Sequence, residues 1–395
     1  MDIAVVGGSL GGLTAACLLA DAGHHVVVYE RSSLELEERG AGIGLLPSAY
    51  RYLVEAGGIS LDAIAVSTSH IRYLGRDGAV IHDEEHRYLF SSWNTVYREL
   101  LARFGRSRYL LAHELVELEL EPLALEFSTG EVVHPDLAVF ADGVASTARG
   151  RLLPDITPQY SGYVAWRGVV PETELSAATR AVLDDAITYY VYANSHILVY
   201  PIPDRGGSVL PGERLINIVW YRNYLAGGDL DDLLIDGYGT RREVSIPPGS
   251  LRPEHIAEAR ATATARLPIP IAEAVLAVGE LFVQVLFDLE VPRMAFGRAC
   301  LLGDAAFSVR PHAAAGTAKA AEDAWTLRDA LAASPDDPAA ALAAWEPGQL
   351  ALGRNLLART RAIGRRSQVD GNWRAGDPQL IFGLHGPGER VTSEG

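Results

Sequence analysis

Short apolar runs separated by glycines organise the first thirty residues. Residues 3–6 are continuously apolar, as in a strand buried on both faces, and a glycine cluster follows them. Residues 13–22, rich in alanine and leucine, predict a helix that ends at Gly23. A second apolar run at 26–29 ends at Glu30. This order predicts a strand–helix–strand unit at the start of the chain.

The rest of the chain changes between helical, alternating and wholly apolar stretches. Helical patterns predict helices at 48–57, 96–104, 253–266, 270–278, 316–333 and 339–364, the last with a kink at Pro347. Alternating or β-branched residues predict antiparallel strands at 110–118, 123–128, 187–192, 197–200 and 216–221. Residues 71–91 alternate on either side of Asp77-Gly78, which predicts a hairpin. Apolar runs at 137–140 and 300–302 predict two more buried strands.

Together these elements predict an α/β protein in which one domain is inserted into another. The first is a Rossmann-like dinucleotide-binding domain assembled from residues 1–73, 94–158 and 279–333. The second is a mixed or antiparallel β-sheet domain assembled from residues 74–93 and 159–278. C-terminal helices and a tail follow at 334–395.

Composition and charge exclude several classes of partner. The 395 residues are 48% apolar and 21% charged with a net charge of -16, and of 34 basic residues only Lys319 is a lysine. An acidic surface repels phosphate backbones, so nucleic acid is not an expected partner. The apolar N-terminal stretch has no basic flank, and no apolar run is long enough to span a bilayer. The sequence therefore predicts a cytoplasmic protein without membrane contact.

The two cysteines, Cys17 and Cys300, lie far apart in apolar runs. This pattern is typical of buried free thiols in a reducing compartment, so we expect no disulfide. Two cysteines at this spacing do not form a zinc site, and we expect no metal.

The glycine cluster after the first strand is similar to the G-x-G-x-x-G dinucleotide fingerprint. Gly7, Gly11 and Gly12 allow a tight turn and let backbone N–H groups approach a pyrophosphate at the helix N-terminus. Ser9 replaces the central glycine. Serine is small enough for the same approach, and its hydroxyl could add a hydrogen bond. The loop therefore predicts dinucleotide binding.

An acidic residue follows at the spacing that such a loop requires. Glu30 ends the second strand, 18 residues beyond Gly12, and Arg31 follows it. A carboxylate at this place accepts hydrogen bonds from ribose hydroxyls. These features do not distinguish FAD from NAD.

Four later segments resemble the class A flavoprotein monooxygenases. The segment from Asp142 to Arg149 is similar to the D-G-x-x-S-x-x-R motif of that family. Gly303-Asp304, followed by Pro311, is similar to its G-D…P motif. The loop from Arg39 to Ile43 resembles the loop that flanks the flavin, and Arg98 matches an FAD-binding arginine.

The resemblance implies a fold like that of para-hydroxybenzoate hydroxylase, with FAD bound tightly but non-covalently. NADH or NADPH would be a transient co-substrate, because no second glycine fingerprint is present. Asp304 would accept a hydrogen bond from the ribityl chain, and Pro311 would fix the backbone beside the flavin ring. A helix opening at Ala315, Gly316 and Thr317 would stabilise negative charge on the reduced flavin.

Further runs resemble the members of this family that hydroxylate dihydroxypyridines in nicotine and pyridine breakdown, at 164–168, 200–203, 310–316 and 376–384. This resemblance implies that FAD, NADH and O2 hydroxylate an electron-rich ring, 2,6-dihydroxypyridine at carbon 3. Phe307, Ala314 and Ala318 stand where relatives often carry other residues. The alternative substrate is therefore another phenol or heteroaromatic ring. A second alternative is an FAD-binding redox protein that hydroxylates nothing, which the aromatic-rich middle sheet disfavours.

Four residues are candidates for contact with the aromatic substrate. Alternation places His196 and Tyr200 on one face of a strand, and Trp220 lies on a neighbouring strand. His312 follows Pro311, beside the expected flavin. Packing within the sheet is the alternative role for Tyr200 and Trp220. The sequence leaves open which of the four contacts the ring, whether NADH or NADPH is used, and whether the chain forms a homodimer.

Overall fold

The computed structural model describes residues 1–37 and 41–388, so the predicted site residue Arg39 lies outside the described residues. The strands are β1 (Asp2–Val6), β2 (His25–Tyr29), β3 (Gly42–Gly44), β4 (Val66–Leu74), β5 (Val80–Ser92), β6 (Tyr109–Leu110), β7 (Leu115–Leu120), β8 (Leu123–Phe127), β9 (Val132–Val133), β10 (Leu137–Phe140), β11 (Gln159–Pro171), β12 (Ala186–Tyr192), β13 (Ser195–Ile202), β14 (Leu215–Asn223), β15 (Ser245–Ile246), β16 (Phe282–Asp288), β17 (Ala295–Phe296) and β18 (Ala299–Leu301). The helices are α1 (Leu10–Asp21), α2 (Pro47–Glu55), α3 (Leu61–Ile64), α4 (Trp93–Phe104), α5 (Thr147–Leu152), α6 (Ala177–Leu183), α7 (Gly228–Leu233), α8 (Pro253–Arg266), α9 (Ile269–Ala277), α10 (Gly316–Ala333) and α11 (Pro338–Gln368).

A six-stranded sheet holds the glycine loop. Its order is β17-β18-β10-β1-β2-β6, and every neighbouring pair is parallel except β17–β18. Strands β1 and β10 are almost wholly buried, because parallel sheets are covered on both faces. The short apolar runs in the sequence predicted β1, β2, β10 and β18 correctly. This sheet is the Rossmann-like part of the predicted α/β fold.

A nine-stranded sheet forms the second part, in the order β15-β16-β11-β14-β13-β12-β4-β5-β3. All of its pairs are antiparallel except β12–β4, so it is the mixed sheet that the sequence predicts. Its membership corrects the predicted domain boundaries, which assign 66–73 and 279–288 to the Rossmann-like unit. Strands β4 and β16 pair in the larger sheet instead. An apolar strand does not reveal by composition which sheet it joins, because that depends on distant partners.

The nine-stranded sheet separates two apolar cores. One face, with Leu198, Tyr200 and Tyr221, belongs to the core that continues into the six-stranded sheet. The other face carries Ile197 and Trp220 and is covered by α6, α8 and α9. Alternate residues of one strand therefore face different parts of the molecule.

The C-terminal part differs from the prediction in two respects. Helix α11 continues through Pro347 to Gln368, beyond the end at 364 that the sequence predicted. Tertiary packing of buried α11 residues offsets the backbone hydrogen bond that a proline removes. Within the predicted tail, the described segment around Ile381 and Phe382 packs inward, since both side chains are buried. Arg359 of α11 holds this segment by donating to the carbonyl oxygens of Ile381 and Gly383 at 2.5 and 2.8 Å.

Two further predictions concern the environment of the chain. Within residues 1–37 and 41–388, no helix combines the length and apolar character that a membrane span requires. Cys17 and Cys300 are buried free thiols, as the sequence predicts. Burial raises the pKa of Cys17 to about 12, which keeps this thiol protonated and unreactive.

Candidate active site

A cavity of about 360 Å³ lies where the two sheets meet. One side is formed by the loops that follow the carboxyl ends of β1, β10 and β18. The opposite side is the β11–β14–β13 region of the nine-stranded sheet, contributing Arg167, Leu198, Tyr200, Val219 and Tyr221. Ligands of open parallel sheets bind outside the carboxyl ends of the strands, so this cavity is the candidate site.

The glycine loop has no room for side chains at several positions. Gly7 has a φ of +103°, and a Cβ atom there would lie 2.3 Å from the carbonyl oxygen of Ala141. A Cβ on Gly12 would lie 1.9 Å from the carbonyl oxygen of Gly7. Ser9 is the N-cap of α1 but makes no side-chain cap bond, and it lines the cavity with Gly11. Its hydroxyl is therefore placed to bind a ligand at the helix N-terminus.

Glu30 holds this loop in place. Its side chain is buried, and its two carboxylate oxygens accept hydrogen bonds from the backbone N–H groups of Gly8 and Ser32, both at 2.8 Å. A carboxylate has further lone pairs, so Glu30 can also accept from a ribose hydroxyl. The Tyr109 hydroxyl donates to the carbonyl oxygen of Gly8 at 2.9 Å, a contact that the sequence analysis missed. Arg31 is exposed and does not line the cavity.

The segment from Asp142 to Arg149 ties two loops together. Arg149 is buried and donates to the carbonyl oxygens of Ala305 and Val144 at 3.1 and 2.6 Å. Asp142 accepts from the backbone N–H of Ala148 at 3.2 Å, and burial raises the pKa of its carboxyl group. Asp142 thus contacts the start of α5, whereas its neighbour Gly143 lines the cavity.

Asp304 lines the cavity, and the turn that carries it contacts a buried ion pair. Desolvation by the surrounding protein raises the pKa of Asp304 to about 6, although its side chain is exposed to the cavity, and nearby Lys319 opposes this rise. Lys319 Nζ lies 2.6 Å from the Asp323 carboxylate, which also accepts from the backbone N–H of Gly303 at 2.9 Å. The ion pair therefore fixes the turn that presents Asp304.

Helix α10 begins at the cavity wall. Pro311, Gly316 and Thr317 line the cavity, and Ala315 is the N-cap without a side-chain bond. The first N–H groups of a helix have no intrahelical partner, so this end can bind negative charge. Ala314 has a φ of +52°, a left-handed conformation that glycine adopts more readily than alanine does.

Of the two remaining predicted cofactor residues, Ile43 lines the cavity and Arg98 does not. Ile43 lies on β3 and lines the cavity. Arg98 lies on α4, near Gly207 and not on the cavity wall.

Aromatic side chains form much of the sheet side of the cavity. Tyr200 stacks on Phe90 with ring centroids 4.1 Å apart, and both line the cavity together with Phe382. Tyr221 and Arg167 line it as well. Sequence reasoning missed Arg167 and Tyr221 as site residues. Arg167 could have been found as a charged residue within an otherwise apolar strand. Tyr221 could have been found because it is two residues from Val219 and therefore lies on the same strand face.

The structure corrects the assignment of Trp220 to the substrate site. Trp220 pairs across the ladder with Ile197, so it shares a face with Ile197 and not with His196. Its indole N–H donates to the hydroxyls of Ser195 and Tyr192 at 3.1 and 3.2 Å on that opposite side. The register of β13 against β14 decides the face, and a shift by one residue reverses it.

The two predicted histidines contact Tyr221 without lining the cavity. His312 Nε2 lies 2.6 Å from the Tyr163 hydroxyl, and burial with nearby Arg310 lowers its pKa to about 3. His196 Nδ1 lies 2.8 Å from the Ser367 hydroxyl, and burial likewise lowers its pKa well below the usual value. Both rings are therefore neutral at physiological pH. Of the four predicted substrate residues, only Tyr200 lines the cavity.

Comparison with known proteins places this site in a family. Residues 5–33 match an NAD(P)-binding Rossmann-like domain, and residues 160–288 match an FAD binding domain-like family. The 2,6-dihydroxypyridine 3-monooxygenase of Paenarthrobacter nicotinovorans is 38% identical over 97% of this chain and 95% of its own length. The chain belongs to the class A flavoprotein monooxygenases.

Two further relatives agree with this assignment. The solved 2,6-dihydroxypyridine-3-hydroxylase from Arthrobacter nicotinovorans superposes with a TM-score of 0.92 at 37% identity, covering 97% of this chain and 96% of that one. A 3-amino-4-hydroxybenzoate 2-monooxygenase of Streptomyces platensis is 29% identical over 94% of this chain and 87% of its own.

As a class A monooxygenase, the protein is an FAD-dependent aromatic hydroxylase that uses NAD(P)H and O2. When bound, FAD supplies the redox chemistry that inserts one oxygen atom of O2 into the ring. The residues present fit this cofactor, because Ser9, whose hydroxyl makes no cap bond, and Gly11 line the cavity at the N-terminus of α1. The Asp304 carboxylate and the first turn of α10 face the same cavity. The predictions of fold class and cofactor are confirmed.

Proposed function

We propose that this enzyme hydroxylates 2,6-dihydroxypyridine, or a close hydroxypyridine, at carbon 3. The observation that supports the proposal is a single cavity bounded by nucleotide-binding loops on one side and by an aromatic sheet face on the other. The whole-chain similarity to a dihydroxypyridine monooxygenase supports this choice of ring.

The nucleotide side would hold FAD through residues that the sequence predicted. Gly7, Gly11 and Gly12 allow the tight turn before α1, where backbone N–H groups and the Ser9 hydroxyl would donate to the pyrophosphate. Glu30 would accept from the adenosine ribose. In the same way, Asp304 would accept from the ribityl chain, and the N–H groups at Gly316 and Thr317 would stabilise negative charge on the flavin ring. Roles for Arg31, Arg39 and Arg98 remain predictions.

The sheet side would orient the ring and exclude water. Tyr200 and Phe90 form a stacked pair at the wall, and Leu198 and Val219 present apolar surface between the polar groups. Phe382, from the segment that follows α11, contributes another apolar wall. Exclusion of water from the site would favour oxygen transfer to the ring over loss of oxygen as H2O2.

The test is ring-stimulated oxidation of NADH and NADPH by the purified FAD-loaded enzyme. The panel contains 2,6-dihydroxypyridine, other hydroxypyridines, 4-hydroxybenzoate and 3-amino-4-hydroxybenzoate, with mass spectrometry after reaction under ¹⁸O2. We expect 2,6-dihydroxypyridine to give the highest kcat/KM and one labelled oxygen in the product. The comparison of NADH with NADPH defines the reductant.

The competing substrate is an aromatic acid, 3-amino-4-hydroxybenzoate. The relative that acts on 3-amino-4-hydroxybenzoate covers almost the whole chain, so preferred turnover of that acid would overturn the hydroxypyridine assignment. Stimulated NAD(P)H oxidation without label in any product would oppose hydroxylation of the tested rings. A homodimer and a cytoplasmic location stay predictions, which light scattering and cell fractionation would test.

A further inference from the structure

A second cavity, of about 230 Å³, lies between α10, α11 and the segment that follows α11. Its described lining consists of Glu322 on α10, four residues of α11 between 348 and 355, and Leu384 and His385 beyond that helix. None of these residues lines the active-site cavity. The second cavity is therefore a separate space, and the hydroxylation reaction does not account for its polar groups.

Gln349 places an unsatisfied amide at this cavity. Its side chain lines the cavity, yet the residue is only 6% exposed. In the described part of the chain, its side-chain oxygen Oε1 is buried and has no hydrogen-bond partner. A buried acceptor without a donor costs free energy, because it has lost its hydrogen bonds to water. The described protein groups supply no donor, so the donor has to enter from the cavity.

Glu322 adds a negative charge to the same lining. Its Oε2 accepts a hydrogen bond from the Ser48 hydroxyl at 2.7 Å, and Oε1 has no partner within residues 1–37 and 41–388. Among the described lining residues, Glu322 is the one Asp, Glu, Lys or Arg, and it forms no salt bridge with another described residue. The cavity therefore combines two acceptors with a charge that no protein cation neutralises.

This lining favours an organic ammonium ion over a metal ion. Ca²⁺ takes about six to eight oxygen ligands, several of them from carboxylates, whereas this cavity offers one carboxylate. An ammonium group instead carries a positive charge for Glu322 and N–H donors for Gln349. Leu352 and Leu384 line the same cavity and suit the carbon atoms of an amine. The net charge of -16 on the chain also attracts cations to the protein.

We propose that the second cavity is a binding site for a small organic ammonium ion. The ammonium group donates hydrogen bonds to the Glu322 carboxylate and to Gln349 Oε1, and its carbon atoms lie against Leu352 and Leu384. The site goes beyond the proposed function, because its ligand contacts neither the flavin nor the aromatic ring.

The segment 380–385, here called the tail segment, connects this site to the active site. Phe382 lines the active-site cavity, and Leu384 lines the second cavity. Between them, the backbone N–H of Gly383 donates to the carbonyl oxygen of Ala313 at 3.2 Å. A ligand that packs on Leu384 opposes local opening of the tail segment, because it binds the closed form alone. The same ligand therefore restrains the Phe382 wall of the active site.

The test is calorimetric titration of FAD-loaded enzyme with the chlorides of n-butylammonium, tetramethylammonium and potassium at constant ionic strength. Tetramethylammonium has the charge of n-butylammonium but no N–H donor. We expect n-butylammonium to saturate one site per chain and the other two cations to show no saturable binding. Glu322→Gln should weaken n-butylammonium binding about tenfold or more, through loss of a charge-assisted hydrogen bond. Gln349→Leu, which removes a neutral acceptor, should weaken it about threefold or more.

The matched control is Asp329→Asn, also on α10, where the carboxylate is 63% exposed and pairs with Arg328. It should keep the wild-type affinity. Gln349→Leu should fold at least as stably as the wild type, because it replaces an unsatisfied amide by an apolar group, so it tests the site even if Glu322→Gln loses stability. Equal affinity of the wild type for n-butylammonium and tetramethylammonium would overturn the proposal, as would wild-type affinity in both site variants.

Hydrogen exchange of peptides that cover the tail segment measures the restraint on Phe382. Exchange in the wild type should slow at saturating n-butylammonium, and the same concentration should have little effect on Glu322→Gln. Exchange that stays equal with and without bound n-butylammonium would contradict the link to the active site. Neither experiment contains an aromatic substrate, so failure of the enzyme to hydroxylate any ring contradicts the proposed function alone.

Discussion

Lys319→Met tests the buried ion pair beneath the Gly303–Asp304 turn. The side chains of Lys319 and Asp323 are 1% and 0% exposed, and Nζ lies 2.6 Å from the carboxylate. Methionine keeps much of the side-chain volume and removes the charge. Asp323 would then be a buried carboxylate whose remaining described partner is the backbone N–H of Gly303. We expect a large loss of folding stability.

The size of the loss follows from the burial of both groups. Removing one partner of a buried ion pair costs about 3–5 kcal/mol, because the other charge stays buried without compensation. Burial already raises the pKa of Asp323 above its value in the unfolded chain, and loss of Lys319 raises it further. A carboxyl group with a raised pKa in the folded state destabilises the protein above the unfolded pKa, and the penalty disappears as pH falls to about 3.9. The deficit of the variant should therefore be largest at pH 8 and smaller at pH 5.

Urea unfolding of FAD-loaded protein at pH 5, 6.5 and 8, followed by tryptophan fluorescence and flavin release, measures this deficit. Arg328→Met on the same helix is the matched control, since its partner Asp329 is 63% exposed and surface pairs contribute at most about 1 kcal/mol. Adding Asp323→Asn to Lys319→Met should recover part of the loss. A Lys319→Met deficit no larger than that of the control, or equal at pH 5 and 8, would refute the reasoning.

Three further predictions concern the site. Glu30→Ala should reduce the free energy of FAD binding by about 1.5–3 kcal/mol, the contribution of one charge-assisted hydrogen bond. Fluorescence titration of the folded apoprotein with FAD measures this loss, and an unchanged affinity would exclude Glu30 from the cofactor site. Tyr200→Phe should keep its FAD but raise the ratio of H2O2 released to NAD(P)H consumed, because a small misplacement of the ring can lower the rate of oxygen transfer by up to about a hundredfold. The control Trp220→Phe, on the opposite face of the sheet, should keep the wild-type ratio. A wild-type ratio in Tyr200→Phe would contradict the role of Tyr200. His312 is neutral when folded with a pKa of about 3, below its unfolded value, so it contributes to acid unfolding as pH falls through about 6.5. His312→Ala should therefore lower stability at pH 8, because the Tyr163 hydroxyl loses a partner, yet show a shallower loss between pH 6.5 and 4; a slope equal to that of the wild type would disprove this.

Local signals in the sequence predicted the loops that form one side of the cavity. The Gly7–Gly12 loop, Glu30 and Asp304 each follow a short buried strand, and the carboxyl ends of parallel strands meet at one sheet edge. Their order along the chain therefore determines their proximity. Arg98 was the weaker inference, because its FAD-binding role was taken from a family motif and not from a position at a strand end.

The substrate side depended on information that no local pattern contains. Trp220 was assigned to the wrong face because the alternation of one strand does not reveal its register against the next. Alternation did place Tyr200 correctly within its strand. His312 follows Pro311 in the chain, yet its ring turns toward Tyr163 and away from the cavity. The position of Phe382 could not be predicted for another reason. It lies in a segment rich in glycine and proline, and such a composition does not indicate that the segment packs against the core.

Because the single lysine is buried, the native protein should react very slowly with reagents that modify side-chain amines. An acylating reagent or a lysine-specific protease can reach Lys319 only after its side chain has separated from Phe307 and Asp323. Because Lys319 is the one lysine among the 395 residues, the rate of its labelling reports a single event, the local opening of α10 beside the Gly303–Asp304 turn. Mass spectrometry of peptides would follow labelling of Lys319 separately from labelling of the Met1 α-amino group, with and without FAD and without any engineered probe.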